Sequence, residues 1–152
     1  MSKENELSCV IPGSFSKFKP EIDLAIEEFT DLGVSVLAPD AGWLYKPGLK
    51  IFTRKSLYSF RPLPSEIGMT IKEIEDKFLD SLSKSDFVYV VNPEGFIGNT
   101  VSFEIGFAKA RNIPIYSQKQ ILDEDLISKG MISDIKVLNP KETILDFKSK
   151  MI

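Results

Sequence analysis

Short apolar runs alternate along the chain with longer segments in which apolar residues recur every three or four positions. The first apolar run, residues 7–12, leads into Gly13 and Ser14, and it predicts a buried strand followed by a tight loop. Residues 20–33 begin with proline, end with glycine and carry apolar residues at helical spacing, so they predict a helix. A second strand is predicted over residues 34–39. The three elements form a βαβ unit, which favours parallel strands.

The alternation continues to the end of the chain. Further elements are predicted as helices over 67–84, 99–111, 122–128 and 141–151 and as strands over 86–92, 113–116 and 135–138. Residues 86–92 are apolar on both faces, as expected of a central strand in a parallel sheet. The pattern predicts an α/β fold: a doubly wound, Rossmann-like or flavodoxin-like sheet of five parallel strands in a three-layer α/β/α arrangement. Because no repeat, low-complexity tract or linker interrupts it, residues 1–152 are expected to form a single domain.

Residues 40–68 break this regularity with several prolines and a concentration of aromatic side chains that includes Trp43. A long irregular segment inside a compact domain is often a lid or a binding loop, and the alternatives are an extra hairpin or a dimer contact. Arg54, Lys55 and Arg61 lie among the aromatic residues. The mixture is suited to stack on a base and to meet a phosphate, although a solvated surface explains the same composition.

Composition narrows the class of protein. The net charge of −3 provides no chain-wide basic field, so nucleic acid is not an expected partner. The longest apolar runs are far too short to span a membrane, and residues 1–6 lack the apolar core of a signal peptide. We therefore expect a cytoplasmic protein without a membrane partner.

The residue types that are missing restrict the chemistry further. The chain contains no histidine, which excludes the usual Ser-His-Asp and Cys-His nucleophile systems and histidine-ligated zinc. The catalytic groups of any reaction must therefore be carboxylates, hydroxyls, lysine, tyrosine or a bound metal. Cys9 is the one cysteine and lies in an apolar run, so it is expected to be a buried core thiol without a disulfide.

Two loops are the candidate ligand-binding segments. In doubly wound sheets, ligands bind beyond the carboxyl ends of the strands, where the strand order reverses. If the order is 2-1-3-4-5, this point lies between the loops that follow the first and third strands. Each loop contains glycine and leads to a helix N-terminus, whose free N–H groups attract a phosphate or a sugar hydroxyl. The residues expected to bind the ligand are Gly13, Ser14, Phe15 and Ser16 in the first loop and Gly98, Asn99 and Thr100 in the second.

Glu104 is the candidate catalytic residue. It is expected in about the first turn of the helix after the second loop, where a carboxylate can also act as a helix cap. A capping box requires a glutamate three residues after the capping hydroxyl, and Glu104 lies four residues after Thr100, so the box fails. The small and apolar residues 105–108 predict close packing on the sheet, which would desolvate Glu104 and raise its pKa.

Four other charged residues have simpler interpretations. Asp76 and Asp80 stand one helical turn apart in the helix before the third strand, and we expect them to be surface charges. Lys109 and Arg111 lie near the end of the helix that contains Glu104, and we expect them to complement its C-terminal dipole.

Four segments together resemble the nucleoside 2-deoxyribosyltransferase-like family, which includes the 2'-deoxynucleoside 5'-monophosphate N-hydrolases. They are Ile-Pro-Gly-Ser-Phe-Ser at 11–16, Ser-Asp-Phe-Val-Tyr-Val-Val at 85–91, Gly-Phe-Ile-Gly-Asn-Thr-Val-Ser-Phe-Glu-Ile-Gly-Phe-Ala at 95–108 and Ile-Pro-Ile-Tyr at 113–116. The resemblance covers about residues 7–117. Its moderately specific part is Glu-Ile-Gly-Phe-Ala with the upstream Gly-Asn-Thr.

The resemblance implies cleavage or transfer at the N-glycosidic bond of a nucleoside or nucleoside 5'-monophosphate. Glu104 matches the glutamate that attacks the anomeric carbon, and water or a second base resolves the glycosyl-enzyme intermediate. The two loops would hold the 5'-phosphate. The resemblance implies neither a metal nor a cofactor, and it implies a homodimer or a larger oligomer whose subunits share their sites.

The chain departs from the family at three supporting positions. Val10 stands where the family often has a tyrosine, Phe78 aligns with an aspartate of characterised members, and an aspartate upstream of Gly-Thr in the transferases has no clear equivalent. Two other functions therefore stay open. One is a nucleotide-binding or sensor module without catalysis, and the other is an interaction domain that uses the aromatic segment 43–60 as a partner surface.

Overall fold

The computed structural model describes residues 6–39 and 70–151, and in them five parallel strands form one sheet in the order β2-β1-β3-β4-β5. The strands are β1 (Ser8–Val10), β2 (Ser35–Ala38), β3 (Phe87–Val90), β4 (Ile115–Ser117) and β5 (Lys136–Val137). Each neighbouring pair is parallel. The predicted doubly wound sheet and its strand order are confirmed. Trp43 and the rest of the candidate lid at 40–68 lie outside the described residues.

Helices connect the strands in the alternating pattern that the sequence predicts. They are α1 (Phe15–Asp31), α2 (Ile71–Ser83), α3 (Asn99–Ala110), α4 (Glu124–Ser128) and α5 (Pro140–Ser149). Over residues 6–39 and 70–151, none of the helices has the length and apolarity needed to cross a membrane.

The two faces of the sheet build two separate hydrophobic cores. Phe87 and Tyr89 of β3 point to one face, where they pack with residues of α1 and α5. Val88 and Val90, the alternate residues of the same strand, point to the other face and pack with α2 and α3. Because β3 is buried on both faces, its continuous apolar sequence is that of a central parallel strand. The fold therefore has three layers, with helices on either side of the sheet.

The first helix begins earlier than Pro20, where the sequence predicts its start. It begins at Phe15, and Phe18 interrupts it with non-helical backbone angles of φ −123° and ψ 33°. Proline has no N–H, and its ring clashes with the carbonyl of the residue four positions before it, so a regular helix cannot run through Pro20. The interruption separates a short first turn from the regular part of α1, which begins near the proline.

Capping residues determine where two other helices begin. The Thr70 hydroxyl accepts a hydrogen bond from the Glu73 N–H at 3.0 Å, and the Glu73 carboxylate accepts one from the Thr70 N–H at 2.8 Å. This capping box makes α2 begin at Ile71 rather than at the predicted residue 67. Asn139 and Glu142 form the same arrangement at the start of α5.

Cys9 is part of the core on the α1 side of the sheet. It is fully buried in β1, and burial raises the pKa of its thiol far above the usual range. The interpretation of Cys9 as a buried core thiol is confirmed.

Candidate functional site

The loops that follow β1 and β3 meet at the carboxyl edge of the sheet. Beyond the ends of both strands, the Val91 N–H donates to the Pro12 carbonyl at 2.9 Å, and Gly13 and Val91 form one more parallel bridge. From this point the chain turns to opposite faces, because α1 packs on one side of the sheet and α3 on the other. The predicted reversal of strand order therefore brings the two candidate loops side by side.

Gly13 provides close backbone contact in the first loop. A Cβ atom at this position would lie 3.0 Å from Ile22 Cδ1 and 3.2 Å from the Val91 carbonyl oxygen, which is tighter than ordinary packing allows. Ser14 is the N-cap residue of α1, and its carbonyl accepts the Phe18 N–H at 2.8 Å. Phe15 and Ser16 form the start of the helix, so the N-terminus of α1 lies at the edge of the sheet.

The second loop leads to an open helix N-terminus. Gly98 is the N-cap residue of α3, and a Cβ atom there would meet nothing within 4 Å. Asn99 and Thr100 are the first two residues of the helix, and both are exposed. The first turn contains no acidic residue, so its free N–H groups and positive partial charge suit an anionic ligand.

Asn92 anchors the second loop from beneath, and the sequence analysis did not identify it. Its side chain is completely buried; Nδ2 donates to the Gly95 carbonyl at 3.2 Å and to the Lys119 carbonyl at 3.0 Å. Its Oδ1 accepts the Lys119 N–H at 3.0 Å. The signal was a polar amide at the end of a buried strand, with glycine three residues later, which is typical of a side chain that shapes a turn.

Gly95 completes this anchor. Its φ of +90° lies in the region that favours glycine, and its carbonyl accepts the Leu122 N–H at 2.9 Å. A Cβ atom at this position would lie 2.7 Å from Leu122 Cδ1. The loop before α3 is therefore held to the chain that follows β4, and this contact fixes the N-terminus of α3 relative to the sheet.

Glu104 lies deeper in its helix than the sequence analysis predicts. Because α3 begins at Asn99, Glu104 is its sixth residue and belongs to the second turn, not to the first. The N–H groups that need capping belong to the first turn, so the alternative of a helix cap is wrong. The side chain is only 5% exposed, in agreement with the predicted desolvation. Gly106, by contrast, is exposed with open space around it, so it does not contribute the predicted close packing.

Glu75 of α2 is the partner of Glu104. The two carboxyl groups lie within hydrogen-bonding reach of each other, and Glu75 Oε2 is buried without a donor from the described part of the chain. Because two carboxylates can only accept, the contact becomes a hydrogen bond only when one of them holds a proton. Burial, and then the contact with Glu75, raise the pKa of Glu104 from 4.5 to about 10.

Glu75 is not among the site residues predicted from the sequence, although the spacing of apolar residues along α2 indicates that its side chain is on the buried face. Glu75 lies four residues after Ile71 and four before Leu79, so it belongs to the apolar side of α2. The two positions at which the chain departs from the family are part of the core. Val10 is fully buried, and Phe78 packs against the same cluster of apolar residues.

The other acidic residues of α2 are surface charges, as the sequence analysis expects. Asp76 and Asp80 are exposed, and they pair with Lys72 at 2.6 Å and with Lys84 at 3.0 Å respectively. Neither faces Glu104.

The cations near the end of α3 make tertiary and local contacts beyond the expected dipole interaction. Lys109 Nζ lies 2.8 Å from Asp134 Oδ1, and the Arg111 guanidinium lies over the Phe107 ring at 4.8 Å. Lys109 lies in the last turn of α3 and Arg111 is its C-cap residue, as the predicted dipole interaction requires, and these contacts are additional to it.

A buried ion pair follows the first loop, and the sequence analysis did not predict it. Lys19 is 2% exposed, and its Nζ lies 2.6 Å from Asp23 Oδ2 one turn further along α1. Asp23 Oδ1 is buried without a hydrogen-bond partner. A charged pair is thus enclosed near the N-terminus of α1.

No group of three or more histidine, cysteine, aspartate or glutamate side chains within residues 6–39 and 70–151 is arranged to hold a metal ion. Comparison of the chain with known proteins finds no matching family model, no matching curated protein and no matching solved structure. The interpretation of the site therefore depends on the residues and their geometry.

Proposed function

We propose that the protein cleaves or transfers at the N-glycosidic bond of a nucleoside or nucleoside 5'-monophosphate, with Glu104 as the nucleophile. The observation that carries this proposal is the contact between two carboxyl groups: that of buried Glu104, on the helix that starts at the reversal of strand order, and that of half-buried Glu75 on α2. Glycosidases that retain configuration also work with two carboxyl groups, and they need neither histidine nor a metal.

The carboxyl pair supplies two chemical functions when it holds one proton. The proton that the pair holds passes to the departing base, and this leaves Glu104 ionised to attack the anomeric carbon as the C–N bond breaks and its electron pair leaves with the base. In this proposal Glu75 holds the proton together with Glu104 until the base takes it. Water or a second base then attacks the glycosyl ester and releases Glu104. A shared environment that keeps one carboxyl protonated and the other ionised is the usual way to combine an acid with a nucleophile.

The two helix N-termini provide binding rather than chemistry. Gly13 and Ser14 before α1, together with Asn99 and Thr100 at the start of α3, surround the carboxyl edge of the sheet. In this proposal their N–H groups and hydroxyls bind a sugar hydroxyl or a 5'-phosphate, which orients the anomeric carbon toward Glu104.

A nucleotide-binding module without catalysis is the second candidate. Glu104 is only 5% exposed, and its raised pKa keeps it neutral in the ligand-free protein, where a neutral carboxyl is a poor nucleophile. Val10 and Phe78 also fill the core at positions where the resembling family has polar groups. These observations favour a pocket that binds a nucleotide and does not turn it over.

The test is chromatography for free base after incubation with a panel of ribo- and deoxyribonucleosides and their 5'-monophosphates. We expect the wild type to release base, Glu104→Gln to lose about 10³-fold or more of the rate, and Glu75→Gln to lose about 10²-fold or more. Asp76→Asn, which removes an exposed carboxylate from the helix of Glu75, is the matched control and should keep the wild-type rate.

Two outcomes would decide against catalysis at Glu104. Base release that survives Glu104→Gln would assign the activity to another group or to a contaminant. No release from any compound on the panel, together with a raised melting temperature in the presence of a nucleotide, would establish the binding module instead.

A further inference from the structure

Glu75 and Glu104 face each other without a cation in the described part of the chain. Neither takes part in an ion pair there, and the group that acts on the pKa of Glu104 is Glu75. The strands beneath them add no charge, since β1, β2 and β3 contain no ionisable side chain apart from Cys9 and Tyr89, and both of these belong to the opposite core.

The remaining charged residues of the two helices are engaged elsewhere or are exposed. On α2, Glu73 caps the helix, and the exposed residues are Lys72, Asp76, Lys77 and Asp80. On α3, Lys109 pairs with Asp134. Two ionised carboxylates in contact, partly or fully removed from water and without a counterion among residues 6–39 and 70–151, would repel each other strongly. One proton between them replaces this repulsion with a hydrogen bond.

We propose that Glu75 and Glu104 hold one proton between them at neutral pH in the ligand-free protein, and that loss of this proton weakens the packing of α2 against α3. Glu75 is then a positioning residue for Glu104 that, together with burial, keeps Glu104 protonated. The inference concerns the resting protein, so it does not depend on the proposed N-glycosidic reaction.

The direction of the pH effect follows from the difference between the pKa of Glu104 in the folded protein and its pKa in the unfolded chain. Its folded-state pKa of about 10 lies above the ordinary 4.5, so the folded protein binds the proton more tightly than the unfolded chain. The stabilisation is complete below about pH 4.5 and is lost as the pH rises toward 10. For one proton, the folding equilibrium constant falls by about tenfold per pH unit inside this window.

The composition of the chain allows the effect of this proton on stability to be measured, because few other groups titrate in the same pH range. Histidine normally dominates titration between pH 6 and 8, and the chain contains none. Asp134 and Asp146 have lowered pKa values, so they affect stability only at acidic pH. Burial raises the pKa of the Cys9 thiol above the pH range of the measurement. An α-amino group titrates near neutral pH in any chain, and substitutions elsewhere leave it unchanged.

The experiment is urea unfolding at pH 6, 7, 8 and 9 of the wild type, Glu104→Gln, Glu75→Gln and the control Asp76→Asn. We expect the folding equilibrium constant of the wild type and of the control to fall about tenfold per pH unit. Glu104→Gln removes the titrating carboxyl, so its stability should be nearly independent of pH over this range. Glu75→Gln removes the contact but leaves Glu104 buried, so it should keep part of the dependence on pH and lose the rest. A flat wild-type profile, a wild-type slope that persists in Glu104→Gln, or an unchanged profile in Glu75→Gln would overturn the proposal.

An infrared measurement covers the case in which a glutamine variant fails to fold. The folded wild type at pH 7 should contain the carbonyl band of a protonated, buried carboxyl group, and this band should disappear as the pH is raised. Absence of the band at pH 7 would overturn the proposal. Neither measurement uses a substrate, so failure to release base would leave this result intact and would count only against the proposed function.

Discussion

Asn92 and Lys119 exchange two hydrogen bonds: the Asn92 amide nitrogen donates to the Lys119 carbonyl at 3.0 Å, and the Asn92 amide oxygen accepts the Lys119 N–H at 3.0 Å. The side chain thus satisfies the backbone of one residue in the way that a neighbouring strand would. This pairing continues the contact between β3 and β4 beyond the last residues of both strands. The same Asn92 side chain also donates a hydrogen bond to the Gly95 carbonyl, and so it holds the loop that leads to the N-terminus of α3.

Replacing Asn92 should be costly. Asn92→Ala removes three hydrogen bonds from a fully buried position, and we expect it to lower the free energy of unfolding by about 3 kcal/mol. Asn92→Asp should cost at least as much, because a carboxylate cannot donate to the carbonyls of Gly95 and Lys119. Urea unfolding measures both values. Exposed Asn99→Ala is the control, with an expected change of about 0.5 kcal/mol or less, and an equal loss there would contradict the assignment.

Gly95 and Gly33 separate backbone strain from steric conflict. Both have positive φ, +90° and +87°, but a Cβ at Gly95 would lie 2.7 Å from Leu122 Cδ1, whereas one at Gly33 would meet nothing within 4 Å. Gly33→Ala should cost about 1–2 kcal/mol from the left-handed backbone alone. Gly95→Ala should cost about 1–3 kcal/mol more because Leu122 must move. Equal losses in thermal or urea unfolding would show that the Leu122 contact is unimportant.

At Gly106, unlike Gly33 and Gly95, replacement by alanine should increase stability. It lies inside α3, is exposed, and has no neighbouring atom within 4 Å of a Cβ position. Gly106→Ala should therefore raise the free energy of unfolding by about 0.5–1 kcal/mol, since alanine restricts the unfolded chain and favours the helix. A higher urea midpoint with an unchanged slope is the expected result. A loss of stability would mean that a group outside the described residues occupies this space.

Asp146 should dominate a different pH range. Hydrogen bonds from Lys136 at 2.7 Å and Tyr116 at 2.7 Å lower its pKa from 3.8 to about 2. Because the folded-state pKa is lower than the ordinary value, the stabilisation is present above about pH 4 and is lost as the pH falls toward 2. Asp146→Asn should lower stability at pH 7 and reduce the loss between pH 4 and 2. Thermal unfolding between pH 4 and 2 checks this prediction. The same loss of stability over that range in Asp146→Asn as in the wild type would contradict it.

Sequence patterns determined the architecture, because they follow from local geometry. The alternation of apolar runs with helical periodicity predicted five parallel strands and the connecting helices, and the glycine loops marked the edge where α1 and α3 begin. Helix boundaries were less accurate. The interruption at Phe18 and the cap at Thr70 depend on individual backbone and side-chain contacts that periodicity does not record.

Tertiary structure decided how Glu104 is supported. The sequence identified Glu104 and predicted its desolvation, but it offered no supporting residue, because Phe78 stands where the family has an aspartate. Glu75 is far from Glu104 in the chain, and it becomes a partner only because α2 and α3 pack on the same face of one sheet. Asn92 and Lys119 meet for the same reason, since β3 and β4 are neighbours. Local patterns report which side of an element is buried, whereas the choice of partner across that buried side is made by the packing of the whole chain.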